Sequence, residues 1–136
     1  MPGSPAIEKF LDAIHTATIP DCDAWSADAT LDATVPNWRF HVCGRDAIRR
    51  EYARWFGDPG EYGDLRRYPV KEDGQVGGGP TDVVEYTLSW TENGVPHAGH
   101  HVHLLTVRDD EIVADTVFCG GRWSASLLAE MEAADA

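Results

Sequence analysis

Apolar positions near the start of the chain recur at helical spacing. Ile7, Phe10, Leu11 and Ile14 make one stripe, and Ser4-Pro5 ahead of them reads as an N-cap followed by proline at the first helical position. Pro20 ends or interrupts this helix, and a short helical piece is expected through Ala24 and Trp25. Thr30 to Val35 then reads as a short strand closed by Pro36, and Trp38 to Cys43 as extended chain or loop. Helical spacing returns after Gly44. Ile48, Tyr52 and Trp55 share a face at i, i+4 and i+7, with Gly57 as terminator.

The second half is patterned for sheet. Glu61 to Glu72 reads as a strand of polar character. Asp73 to Pro80 contains Gly77-Gly78-Gly79, which lacks the flanking pattern of a phosphate cradle and is read as a loop. Val83 to Thr91 and Val95 to Val107 flank Asn93-Gly94, a strong hairpin signal. Arg108 to Glu111 turns the chain again, Ile112 to Cys119 returns, and Gly120-Gly121 ends the meander. Ser124 caps a terminal helix carrying Leu127, Leu128 and Met131. Helices first, an antiparallel meander, then a short helix make an α+β plan with helices on one face of a sheet.

The Asn93-Gly94 turn sets a register. A two-residue turn pairs Glu92 with Val95, hence Trp90 with His97, Tyr86 with His101 and Val84 with His103. Alternation then puts Trp90, Tyr86, His97, His101 and His103 on one face, and Glu85 and His100 on the other. The next hairpin stays open. A two-residue turn at Asp109-Asp110 would put Asp115 behind the sheet; a three-residue loop with a bulge would turn it to the face of His101 and His103.

Length and charge narrow the function classes. With 136 residues the chain is expected to form one domain over 1–136. Its formal charge of -12 opposes nucleic-acid and anionic-membrane partners. No run approaches the roughly 18 apolar residues of a membrane span, and Met-Pro-Gly-Ser-Pro has no signal-peptide character. Three cysteines (Cys22, Cys43, Cys119) without CxxC spacing fit free thiols in a cytoplasmic protein. His101 and His103 at i, i+2 lack a legible third ligand, so no metal is expected, nor any cofactor.

Two histidines, a tyrosine and a tryptophan on one strand face are too polar for an ordinary core and suit a pocket. Histidine carries protons near neutral pH, and a neighbouring carboxylate would fix its tautomer. The candidate catalytic residues are His103, Asp115 and His101; Tyr86, Trp38, His41, Trp90, Val117 and Phe118 are the candidates for contact with a substrate. Cys119 has no motif supporting a nucleophile and reads as an inert thiol.

The stretch His97-Ala-Gly-His-His-Val-His-Leu-Leu-Thr-Val-Arg-Asp-Asp-Glu-Ile-Val resembles a strand, turn and last strand of the SnoaL-like polyketide cyclase group in the nuclear transport factor 2-like superfamily, which includes ketosteroid isomerases. Trp25-Ser-Ala-Asp-Ala-Thr-Leu-Asp and Gly44-Arg-Asp-Ala-Ile-Arg-Arg-Glu-Tyr resemble the first strand and third helix of the same proteins. The resemblance spans about Ile7 to Met131. It implies a cone-shaped, curved antiparallel sheet wrapped around N-terminal helices, an α+β barrel with a deep cavity, often in a homodimer. It places the cyclase's strand histidine on His103, with His101 as neighbouring pocket residue. The cyclase's aspartate position falls on Val117, and the isomerase's base position on Ala33 with Asp32 beside it.

Three readings follow. The first is an acid–base enzyme of isomerase, cyclase or dehydratase type acting on a partly apolar carbonyl compound. There His103 moves the proton, Asp115 orients it, and His101 or Tyr86 stabilises the enolate. The second is a small-ligand-binding dimeric module without chemistry, which Val117 at the aspartate position favours. The third is a structural dimer with a vestigial cavity.

Overall fold

The computed structural model describes residues 4–70 and 79–136. Helix α1 (Pro5–Thr16) begins where Ser4 accepts a hydrogen bond from the Ala6 amide. Ile7, Phe10, Leu11 and Ile14 are all buried, each worth about 1.5–3 kcal/mol of apolar burial. The helix stops before Pro20. Ala17 turns left-handed (φ 59°), and the Thr18 amide returns to the Ala13 carbonyl at 2.9 Å. Pro20 lies in a short 3₁₀ turn, Ile19–Asp21. The helical piece expected through Ala24 and Trp25 is absent: Trp25, which packs on Phe10 and Tyr52, opens strand β1 (Trp25–Val35).

Strand β2 (Trp38–Cys43) pairs with β1 through a two-residue turn at Pro36-Asn37, where Asn37 takes φ 63°. Helix α2 (Arg45–Trp55) follows and buries Ile48 and Tyr52. Strand β3 (Gly60–Pro69) covers most of the expected polar strand; positions 71–78, with most of the glycine-rich loop, lie outside the described residues.

Strands β4 (Asp82–Glu92), β5 (Val95–Arg108) and β6 (Glu111–Cys119) form the meander. β4 and β5 pair in the register the turn dictates, Glu92 with Val95 through Val84 with His103. A short β7 (Trp123–Ser124) pairs with β5, and Ser124 caps helix α3 (Ala125–Ala134), which buries no residue. The sheet order is β2-β1-β6-β5-β4-β3. It is curved and unclosed, and antiparallel except for the parallel β1–β6 pair. The fold is α+β, with one core joining α1 and α2 to the inner face of β1, β4, β5 and β6. Among the described residues no helix is long and apolar enough to cross a membrane.

Candidate functional site

The inner sheet face gathers four polar side chains. The turn between β5 and β6 is the two-residue one, with Asp109 and Asp110 both at positive φ. Yet Thr106 pairs with Ala114 and Val107 with Ile112, so Val113 has no opposite partner. This bulge lies inside the strand rather than at the turn, and it reverses the facing of everything after it. Asp115 therefore points inward, and its Oδ1 lies 3.0 Å from His103 Nδ1.

The network is closed on itself. The Tyr52 hydroxyl donates to Asp115 Oδ2 at 2.6 Å, and the Tyr86 hydroxyl lies 2.9 Å from His103 Nε2. With Asp115 as a carboxylate, His103 Nδ1 carries a proton, and in the neutral ring Nε2 accepts from Tyr86. Burial, then the charge of Asp115, holds the Tyr52 phenol well above its ordinary range, and burial does the same for Tyr86. All four side chains are sealed from solvent.

His101 differs. It is 4% exposed, stacks on Tyr86 at 5.2 Å, and lines a cavity of about 590 Å³. Its Nδ1 is buried without a hydrogen-bond partner among the described residues. Burial, and then the neighbouring His103, push its pKa down to about 3, so the ring is neutral at physiological pH. Gly99 makes room for it: a Cβ there would meet the Gly121 carbonyl oxygen at 2.6 Å and His101 Cε1 at 3.3 Å.

The cavity lies between the end of α2 and the sheet, with Trp55 and Phe56 on one wall and Leu88 and Trp90 on the other. Each wall carries a matching cluster. Trp55 Nε1 donates to Glu51, which faces Arg54 at 3.7 Å. Trp90 Nε1 donates to Glu92 at 3.3 Å, and Glu92 pairs with Arg122. Asp58 also lines the cavity and has no partner among the described residues.

Of the residues expected to act, His101 and Trp90 line the cavity, whereas His103, Asp115 and Tyr86 form the sealed network behind it. Val117 is buried opposite His103 and does not reach the cavity. Three expected contacts lie elsewhere. Phe118 is 46% exposed, because the alternation that buries Val117 turns its neighbour outward. Trp38 is 68% exposed at the β1–β2 turn. His41 faces Asp32 at 3.5 Å, and Asp32 is held bidentately by Arg39 at 3.0 and 2.7 Å on the exposed side, while Ala33 is buried. Sequence reasoning missed Tyr52 as a network member and Asp58, Glu51, Glu92, Arg54 and Arg122 at the cavity. A tyrosine on a buried stripe was the one available signal, since its hydroxyl requires a partner.

No family model matches the sequence, and no curated protein matches it significantly. Solved structures do resemble it. A candidate isomerase from Bacillus subtilis superposes with a TM-score of 0.66 at 14% identity, covering 85% of this chain and 84% of that one. A nuclear transport factor 2-like protein from Anabaena variabilis gives 0.65 at 15% identity, over 85% and 84% of the two chains. A candidate polyketide cyclase from Xanthomonas campestris gives 0.61 at 15% identity, over 83% and 86%. With the inner helices, the sheet order and the cavity, these likenesses show that the chain has the nuclear transport factor 2-like, ketosteroid isomerase-like fold.

Proposed function

We propose that the chain holds a small, partly apolar molecule in the cavity beside His101, and that it performs acid–base chemistry of isomerase, cyclase or dehydratase type on a carbonyl group. The observation that carries this reading is His101 itself. The ring is 4% exposed and lines the cavity, whereas His103, Asp115 and Tyr86 do not, so it is the inner-face polar group that a bound carbonyl compound can meet. A neutral imidazole donates its N–H to the carbonyl oxygen, and a carboxylate of the lining, Glu51, Asp58 or Glu92, takes the α-proton and returns it. His103 and Asp115 act behind it as positioning residues, holding Tyr86 and so the stacking surface beneath the His101 ring.

Binding without chemistry is the second reading. It is favoured by the closure of the Tyr52–Asp115–His103–Tyr86 network, whose titratable groups make no contact with the cavity. Incubating the protein in D₂O with a panel of small cyclic and aryl ketones, read by NMR, separates the two. α-Proton exchange that saturates with ketone and is lost in His101→Phe supports the enzyme. Saturable binding without exchange leaves the binding module.

Self-association through the outer sheet face, where Phe118 is exposed, belongs to the same proposal, as does a cytoplasmic setting for the free cysteines. A monomeric mass by light scattering at high concentration would remove the dimer.

A further inference from the structure

The charges around the cavity do not cancel. Glu51 with Arg54 and Glu92 with Arg122 make two neutral pairs, and each carboxylate also takes an indole N–H. These contacts tether the two cations of the lining to carboxylates. Asp58 is left over, so the lining carries three carboxylates against two guanidinium groups. His101 adds no positive charge, since its ring is neutral. The C-terminal end of α2 adds to the negative side. Trp55, Phe56 and Gly57 bring the last turn to the cavity, and its free carbonyls carry the negative end of the helix dipole. Two tryptophans and a phenylalanine complete the walls, and aromatic faces attract cations.

We propose that the occupant of this cavity is a small organic cation, an ammonium compound with an apolar body, whose charge is met by Asp58 and the end of α2 and whose body lies against Trp55 and Trp90. This rests on the cavity being a small-molecule site and narrows the class of molecule: in the enzyme reading, the carbonyl compound also carries the ammonium group. The His101 ring lines the same cavity and supplies the remaining polar contact, as acceptor for an ammonium N–H or as donor to an oxygen on the same ligand. Selectivity follows from the arrangement. An anion at either guanidinium would lie beside the carboxylate already paired with it, at the exposed side of the lining, and would still face Asp58.

Three probes of one size and different charge test this: benzylamine, protonated at neutral pH, benzyl alcohol and benzoate. Binding is read by calorimetry and by tryptophan emission with the full chain at low salt. Benzylamine is expected to bind about tenfold more tightly than benzyl alcohol, with benzoate weakest. Asp58→Asn should remove most of the preference for benzylamine and leave benzyl alcohol unchanged. Equal or tighter binding of benzyl alcohol or benzoate overturns the inference while the small-molecule reading stands. Failure of all three to bind overturns both. A benzylamine preference that survives Asp58→Asn removes Asp58 from the site and overturns the inference in this form.

Discussion

His103 and Asp115 meet through a single hydrogen bond of 3.0 Å, and each also carries the hydroxyl of one tyrosine. No solvent reaches the pair, so neither partner has a substitute if the other is removed. Asp115→Ala would strand both the Tyr52 hydroxyl and His103 Nδ1. The expected loss is about 3–5 kcal/mol in urea unfolding, the usual penalty for breaking a buried pair. A loss below about 1 kcal/mol would mean that water replaces the carboxylate.

Tyr52→Phe and Tyr86→Phe each delete one bond at an end of the same chain of contacts. Each should cost about 1–2 kcal/mol. The double variant should depart from the sum by at least about 0.5 kcal/mol, because the two hydroxyls are linked through His103 and Asp115. Strict additivity in a double-mutant cycle would show the two ends to be independent.

His101 sets a pH dependence. Its folded-state pKa of about 3 lies below the ordinary 6.5, so between these values the unfolded chain binds a proton that the folded chain does not. Its contribution is complete above about pH 6.5 and is lost as the pH falls toward 3. His101→Phe, which keeps a ring against Tyr86, should be at least as stable as the parent at pH 7. It should also lose about 1 kcal/mol less than the parent between pH 6 and pH 5. Identical pH profiles for the two proteins would place the proton elsewhere.

Gly99→Ala sets a side chain against a backbone carbonyl that cannot rotate away, with the His101 ring beside it. The expected cost is about 1–3 kcal/mol by thermal or urea unfolding. An unchanged midpoint would show that the Gly121 segment yields without penalty.

Legibility in the sequence followed local determinants. Asn93-Gly94 fixes a turn geometry, and from it the β4–β5 register follows residue by residue, as do the shared faces of Tyr86, His101 and His103 and of Glu85 and His100. The Ile7–Ile14 stripe was equally plain because helical spacing and its cap agree. Asp115 was not legible. The bulge at Val113 involves no glycine, and a β-branched residue at that point looks like ordinary strand. The Pro36-Asn37 turn went unread as a hairpin, which left Trp38 and His41 without a face. The cavity itself is made where the end of α2, the β4–β5 hairpin and the segment after β6 converge, and no single window of sequence contains that meeting.

The unpaired Val113 also constrains how this region can change over time. Loss of Val113 itself would close the bulge and leave Asp115 opposite Leu105, whereas closing the bulge at unchanged length would exchange inside for outside along the rest of β6, sending Asp115 and Val117 to solvent and Thr116 and Phe118 into the core. Descendants of this chain should therefore lose one residue here more readily than two, because the bulge holds a single residue in surplus and its removal keeps Asp115 on the face of His103.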